Sequence, residues 1–346
     1  MNASKSPKNT FRFFDSRLRR RMLLLAAGAT ALAGACNLGA PVIRGPLGFP
    51  TMERAITRSM DDTVAYVGTH GGRIHEVDAT NGSTLAMSPI YGGGYIAGLA
   101  ADLEGDGVWA LYGNDHLVLW EDGTMNQGAH IPSVIGTLPN PTMTTVMPCD
   151  VEHLGDERFA FTLVSHDTAP PAEWFGGVVL VDFATGDYHY DMLPLVTYTG
   201  SPFLSRPIVT YDDYNGNLVV IMPNATDIIG GHWQRVYELD RNTPLQDVSF
   251  TDGLLTLGGE NMIVDAAAFA SEVTLMVQEP GGRAAWQVDI ADLTNNTVTN
   301  ARREPLPGTA IALSGMETLP SNGAHEVLFS TELGGVTELG AVPLLP

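Results

Sequence analysis

Downstream of residue 50 the chain is written in short apolar runs with polar punctuation. "VAYVG", "VWALY", "FAFTLV", "LVVIM", "VTLMV" and "VLFS" are rich in β-branched and aromatic residues, and each is too short for a helix. Within a few residues each run meets a glycine pair or Asn-Asp, and an alternating run such as "RIHEVD" or "HLVLWE" follows. No stretch sustains the 3.6-residue spacing of an amphipathic helix. The pattern predicts consecutive antiparallel strands, with Gly-Gly and Asn-Asp supplying the positive φ of tight hairpins.

The runs repeat. Glycine pairs stand at Gly71-Gly72, Gly176-Gly177, Gly230-Gly231, Gly281-Gly282 and Gly334-Gly335, and Gly113-Asn114-Asp115 takes the same place in a further unit. Four units then reach a polar turn that opens on Asp78, Asp182, Asp240 or Asp292, and the further unit uses Glu121-Asp122-Gly123. One more apolar run lies upstream of each pair, at residues 55–59, 95–101, 144–149, 207–211, 262–268 and 309–313. Each unit therefore predicts four strands. Repeats of roughly 50 residues built from four antiparallel strands are the mark of an all-β β-propeller. The shared "V-D-x-x-T-G" hairpin resembles the repeats of quinoprotein-like and YVTN-type propellers, which implies the same architecture. Six blades are expected over residues 51–346, and the stretch 123–144, with Pro132, Pro139 and Pro141, has room for a seventh.

The last unit stops after its third strand, residues 336–344, while "APVIRGPLGF" at 40–49 belongs to no blade. An open ring would expose two strand edges. Val42, Ile43 and Arg44 are therefore expected to supply the missing fourth strand beside residues 336–342, with Pro41 and Pro46 bracketing it.

The N-terminus obeys different rules. "RRRMLLLAAGATALAGAC" joins a basic segment to an apolar run of about 14 residues, shorter than the roughly 20 a membrane span needs. Residues 1–35 are expected to be an export signal, and residues 36–50 a tether and closing strand. Leu32, Ala33, Gly34, Ala35 and Cys36 resemble the lipobox of bacterial lipoproteins, which implies lipidation of Cys36; Ala33-Gly34-Ala35 also fits simple signal cleavage. Arg19-Arg20 resembles a twin-arginine signal. By resemblance to the lipoprotein sorting rule, Asn37 after the cysteine points to the outer membrane rather than the inner, and simple cleavage would leave a secreted or periplasmic protein.

Charge narrows the partners. The 310 residues after Cys36 hold no lysine and 11 arginines against 38 carboxylates, a formal charge of −27. Such a surface repels phosphate backbones, so nucleic acid is not expected, and contact with a membrane should come only through the lipid. Cys149 is expected to be buried and unpaired if Cys36 is lipidated; simple cleavage would permit a disulfide between them. The body is expected to be monomeric.

Local chemistry is sparse. "ADLEGDG" sets Asp102, Glu104 and Asp106 at alternate positions, as a calcium loop begins, but residue 113 is glycine where such a loop ends in glutamate. Ca2+ is the one cofactor these residues suggest, and a plain Asx turn is the competing reading. His70, His166 and His232 fall near equivalent turns, yet none of the nine histidines has metal-binding spacing. Nucleophile elbow, phosphate loop and quinone-site motif are missing. Two functions follow: a cell-envelope binding or scaffolding module whose partner, an envelope protein or a small-molecule or glycan ligand, stays open, or a hydrolase or lactonase whose Asp and His groups surround calcium in the channel.

Overall fold

Each sequence unit folds as one antiparallel sheet with its strands in chain order. The computed structural model describes residues 37–59, 63–92, 94–130, 143–167, 173–194, 206–223, 231–239, 243–258, 261–294, 301–314 and 325–345. The proposed signal and Cys36 lie outside them. Blade I comprises Ile56–Arg58, Val64–Gly68, Ile74–Asp78 and Thr84–Met87. Blade II comprises Ile96–Ala101, Val108–Tyr112, His116–Glu121 and Thr124–His130. Blade III comprises Met143–Gly155, Arg158–Asp167, Glu173–Asp182 and Tyr188–Pro194. Blade IV comprises Ile208–Asp212, Asn217–Met222, Gly231–Glu238 and Ser249–Thr256. Blade V comprises Met262–Phe269, Glu272–Glu279, Gly282–Asp289 and Arg302–Pro305. Blade VI takes Thr309–Leu313, His325–Leu333 and Val336–Leu345 from the C-terminal end. The chain is thus a six-bladed propeller, and Thr124–His130, the described start of the long gap, is a fourth strand rather than an extra blade.

The ring closes as expected. Val42–Pro46 pairs antiparallel with the last strand, Val42 opposite Ala341, Ile43 opposite Gly340, Gly45 opposite Leu339 and Pro46 opposite Glu338. Arg44 of the closing strand and Arg58 of blade I both reach Glu326 of blade VI, at 2.5 and 3.3 Å. The closing strand also lies on the Asp78 turn of blade I. A Cβ on Gly45 would strike the Asn81 carbonyl, and one on Gly82 would come within 2.9 Å of the Gly45 carbonyl.

Burial explains why the strands read as apolar on both sides. Blades stack face to face, so the core lies between them: Ile208, Val219 and Ile221 of blade IV meet Ile263, Leu275 and Val277 of blade V. The Asp turns behave as their chemistry dictates. Asp78 Oδ1 accepts the Thr80 amide at 2.7 Å and its hydroxyl at 2.5 Å, and Gly82 takes φ +74°. Asp182 repeats this with the Ala184 and Thr185 amides, and Gly186 takes φ +78°.

Two turn expectations are corrected. Gly176 and Gly177 sit inside the strand Glu173–Asp182, Gly177 opposite both Leu163 and Met192, because blade III has longer strands and turns beyond its glycine pair. Asp292 lies in the short helix Ile290–Thr294. The turn at Asp240 lies outside the described residues, as does Gly230. Elsewhere the glycines do turn: Gly72, Gly282, Gly334 and Gly335 all have positive φ. Gly72→Val should therefore destabilise by about 1–3 kcal/mol, from the strain at φ +72° and from collision with the Gly94 carbonyl. A denaturant melt reads this directly, and a silent substitution would contradict the turn. Gly177→Val loses this rationale.

Candidate functional site

The innermost strands line the central channel, and two of them carry a carboxylate inside an apolar run. Asp150 and Asp265 occupy matching places in blades III and V, each just after a break in strand register. Asp150 accepts the Val151 amide at 3.0 Å with one oxygen and the Val209 amide of blade IV at 3.1 Å with the other. Asp265 does the same with Ala266 at 2.9 Å and Leu313 of blade VI at 2.7 Å. At each register break the aspartate accepts one amide of its own strand and one from the next blade, and so ties the two blades together. Glu152, two residues past Asp150, is also buried and accepts the Tyr211 amide.

Arg54 is their counter-charge. It precedes the first strand of blade I, is buried, and has left-handed backbone at φ +57°. Its guanidinium donates to the carbonyls of Pro207 at 2.7 Å, Arg206 at 2.8 Å and Val264 at 3.4 Å. Those carbonyls belong to blades IV and V, on the far side of a six-bladed ring, so Arg54 crosses the channel mouth. Burial pushes the Asp150 carboxyl up to about 8 and that of Asp265 up to about 6, with Arg54 pulling both back. Burial raises Glu152 as well, and Asp150 adds to the effect. Cys149 is buried and unpaired, and burial pushes its thiol up to about 12.

The residues singled out by the sequence go elsewhere. Asp102 Oδ1 accepts the Glu104 amide at 3.2 Å in an Asx turn and lies 3.3 Å from His153 Nδ1. Glu104 turns to the Asp156 amide of blade III at 2.9 Å, and the Asp106 carbonyl accepts the Tyr66 hydroxyl at 2.6 Å. Asp102 and Glu104 thus engage different partners, and no cluster of three or more metal-ligating side chains forms among the described residues. His70 is exposed on its turn, His232 is wholly buried, and the His166 side chain lies outside the described residues. Asp150, Asp265 and Arg54 were missed by sequence reasoning. The signal was there for the two aspartates: an acid set among apolar residues in "MPCDVEHL" and "MIVDAAAF", within strands that are mostly buried.

The two faces of the ring differ in charge. Inner strands run the same way round the ring, as the parallel bridge between Ile56 and Ser314 shows where blade VI meets blade I. Turns after the first and third strands therefore share one face. That face carries Glu104, Asp106, Asp122, Asp156, Asp187 and Asp213, and no arginine or lysine among its described turn residues. The chain enters the ring on this face, where the Gly39 amide meets the Pro343 carbonyl. Described turns of the opposite face hold Arg54, Arg73, Arg206 and His70 against Glu53 and Asp115.

No family model matches the chain, and no curated protein matches it in sequence. Its fold is similar to solved structures. The β-propeller domain of Cps50 (Swd1) from Myceliophteria thermophila is 8% identical, covers 88% of this chain and 99% of that one, and has a TM-score of 0.51. The WD40 repeats of RRP9 are 12% identical, with 89% of this chain and 99% of that one covered and a TM-score of 0.50. The fold is thus that of a WD40-like β-propeller.

Proposed function

We propose that this chain is a lipid-anchored binding module of the cell envelope, held by Cys36 in the outer membrane, with the arginine-bearing face as its working surface. The segregation of charge between the faces carries this reading. Carboxylates crowd the side on which the tether enters, while guanidinium, imidazole and the exposed Ile90 mark the side turned away from it. Binding is favoured over hydrolysis because both oxygens of Asp150 and of Asp265 accept backbone amides, one from the same strand and one from the next blade. Such ties hold neighbouring blades together, as a scaffold requires.

Two measurements test the proposal. Mass spectrometry of the mature protein should find an acylated Cys36, and Cys36→Ala should release the chain from membranes. Photo-crosslinking residues placed at His70 or Asn114 should trap an envelope partner, whereas the same probe at Asp122 or Ala184 should not. Crosslinks confined to the acidic face would overturn the assignment of the working surface.

A further inference from the structure

At the outer seam between blades III and IV the side chains form a rigid, half-open platform. Arg235 lies over the ring of Phe250 at 3.7 Å and beside Trp233 at 5.0 Å. Asp252, its cross-strand partner, accepts from Arg235 Nε at 2.5 Å and from its terminal nitrogen at 2.8 Å. From blade III, Asp191 meets Arg235 at 2.5 Å, the Tyr237 hydroxyl at 2.6 Å and His189 Nε2 at 2.9 Å. All three contacts fall on one oxygen, Oδ2. Burial raises the Asp191 carboxyl, but the bonds from His189, Tyr237 and Arg235 outweigh it and hold the group well below the usual carboxylate range. Oδ1 has no partner among the described residues, and the side chain stays 26% exposed. Asp252 is 44% exposed at its side chain, and so is Phe250 as a residue, although the guanidinium covers one side of its ring.

These features select a ligand class. A flat aromatic ring with one face held by a cation and the other facing solvent accepts an apolar ligand face at little entropic cost, because nothing has to be ordered. The adjoining carboxylate oxygens call for hydrogen-bond donors. An apolar ligand would bury those oxygens unpaired. An anion would meet two carboxylates and a guanidinium whose bonds are already made. A cation would find the place between the carboxylates taken by Arg235. A neutral ring compound with an apolar face and peripheral hydroxyls meets every demand. We infer that the seam between blades III and IV is a saccharide-binding site, with Phe250 stacking on a pyranose face and Asp252, Asp191 Oδ1 and His189 engaging its hydroxyls. The site does not depend on lipidation of Cys36.

The test is titration of the purified full-length protein with the tetrasaccharide of N-acetylglucosamine and with maltotetraose, read by calorimetry and by quenching of tryptophan fluorescence. At least one should bind saturably. Phe250→Ala should weaken binding tenfold or more, Phe250→Tyr should restore it, and both variants should melt within a few degrees of the parent, since Phe250 lies at the surface. Asp252→Asn provides a second variant of unchanged shape and should weaken binding as well. Cys36→Ala protein should bind as the parent does, which separates this site from the anchoring proposal. The inference is overturned if neither saccharide binds, or if Phe250→Ala binds as tightly as the parent.

Discussion

Deleting residues 40–49 behind an intact Cys36 should lower the melting temperature by roughly 10 °C or more and send the protein into higher-mass species on size-exclusion chromatography. The segment does three things at once. Val42–Pro46 covers the edge of Val336–Leu345, which would otherwise offer a row of free amides and carbonyls. Leu47 is buried between blades VI and I with Ile56, Leu328 and Leu339, and Phe49 stacks on His75 at 3.7 Å. Arg44 completes the cluster on Glu326. Two single substitutions isolate these parts. Glu326→Gln removes the carboxylate that Arg44 shares with Arg58, whose side chain is 2% exposed, and should cost about 3–5 kcal/mol. Gly45→Ala drives a methyl into the Asn81 carbonyl and should loosen the closing strand while its sequence stays otherwise intact. A deletion variant that remains monomeric and melts like the parent would mean that the ring closes without this strand.

The second large effect is at the channel mouth and depends on pH. Asp150 and Asp265 titrate near 8 and near 6 in the folded protein, against about 4 in the unfolded chain. Between those limits the folded state binds more protons than the unfolded one, so the unfolding free energy falls as pH rises. The stabilisation is complete below about pH 4. The Asp265 share is gone above about 6 and the Asp150 share above about 8. Each group contributes a slope of up to about 1.4 kcal/mol per pH unit within its window. Repulsion among the surface carboxylates pushes in the same direction, but salt screens it and leaves the buried pair untouched. In high salt, denaturant melts at pH 5 and pH 8 should therefore still differ, and Asp150→Asn should flatten the part between pH 6 and 8. Arg54→Met should cost about 3–5 kcal/mol, because it strands three carbonyls and removes the charge facing both aspartates. The loss should be larger at pH 8, where the aspartates are more ionised. An equal loss at the two pH values would show that Arg54 acts through its carbonyl bonds alone.

Much of the architecture was legible because a propeller repeats a local rule. Strands alternating with Gly and Asp turns need only neighbours in sequence, so all six inner strands and the closing strand could be placed from the pattern. The rule failed where blade geometry overrode local preference. Gly176-Gly177 has turn chemistry but sits mid-strand, since the longer strands of blade III carry the chain past it. The candidate sites were less legible. Asp102, Glu104 and Asp106 form a motif on paper, yet each side chain or backbone carbonyl finds a different partner. Arg54 carries no local signal at all, because its partners are 152 to 210 residues away.

By itself the sequence determined the fold class, the unit of repetition and the strand that completes the last unit, while the choice of six units over seven came from the structure. These follow from hydrophobic period and turn chemistry, which act over a few residues. Only the tertiary structure decided which acids face an amide, that charge divides between the two faces, and that His189 and Asp191 of blade III meet Arg235 and Tyr237 of blade IV. Closing a ring brings together residues separated by whole blades. The energies that govern those meetings, desolvation and charge pairing at a few ångströms, depend on distances that no local pattern encodes.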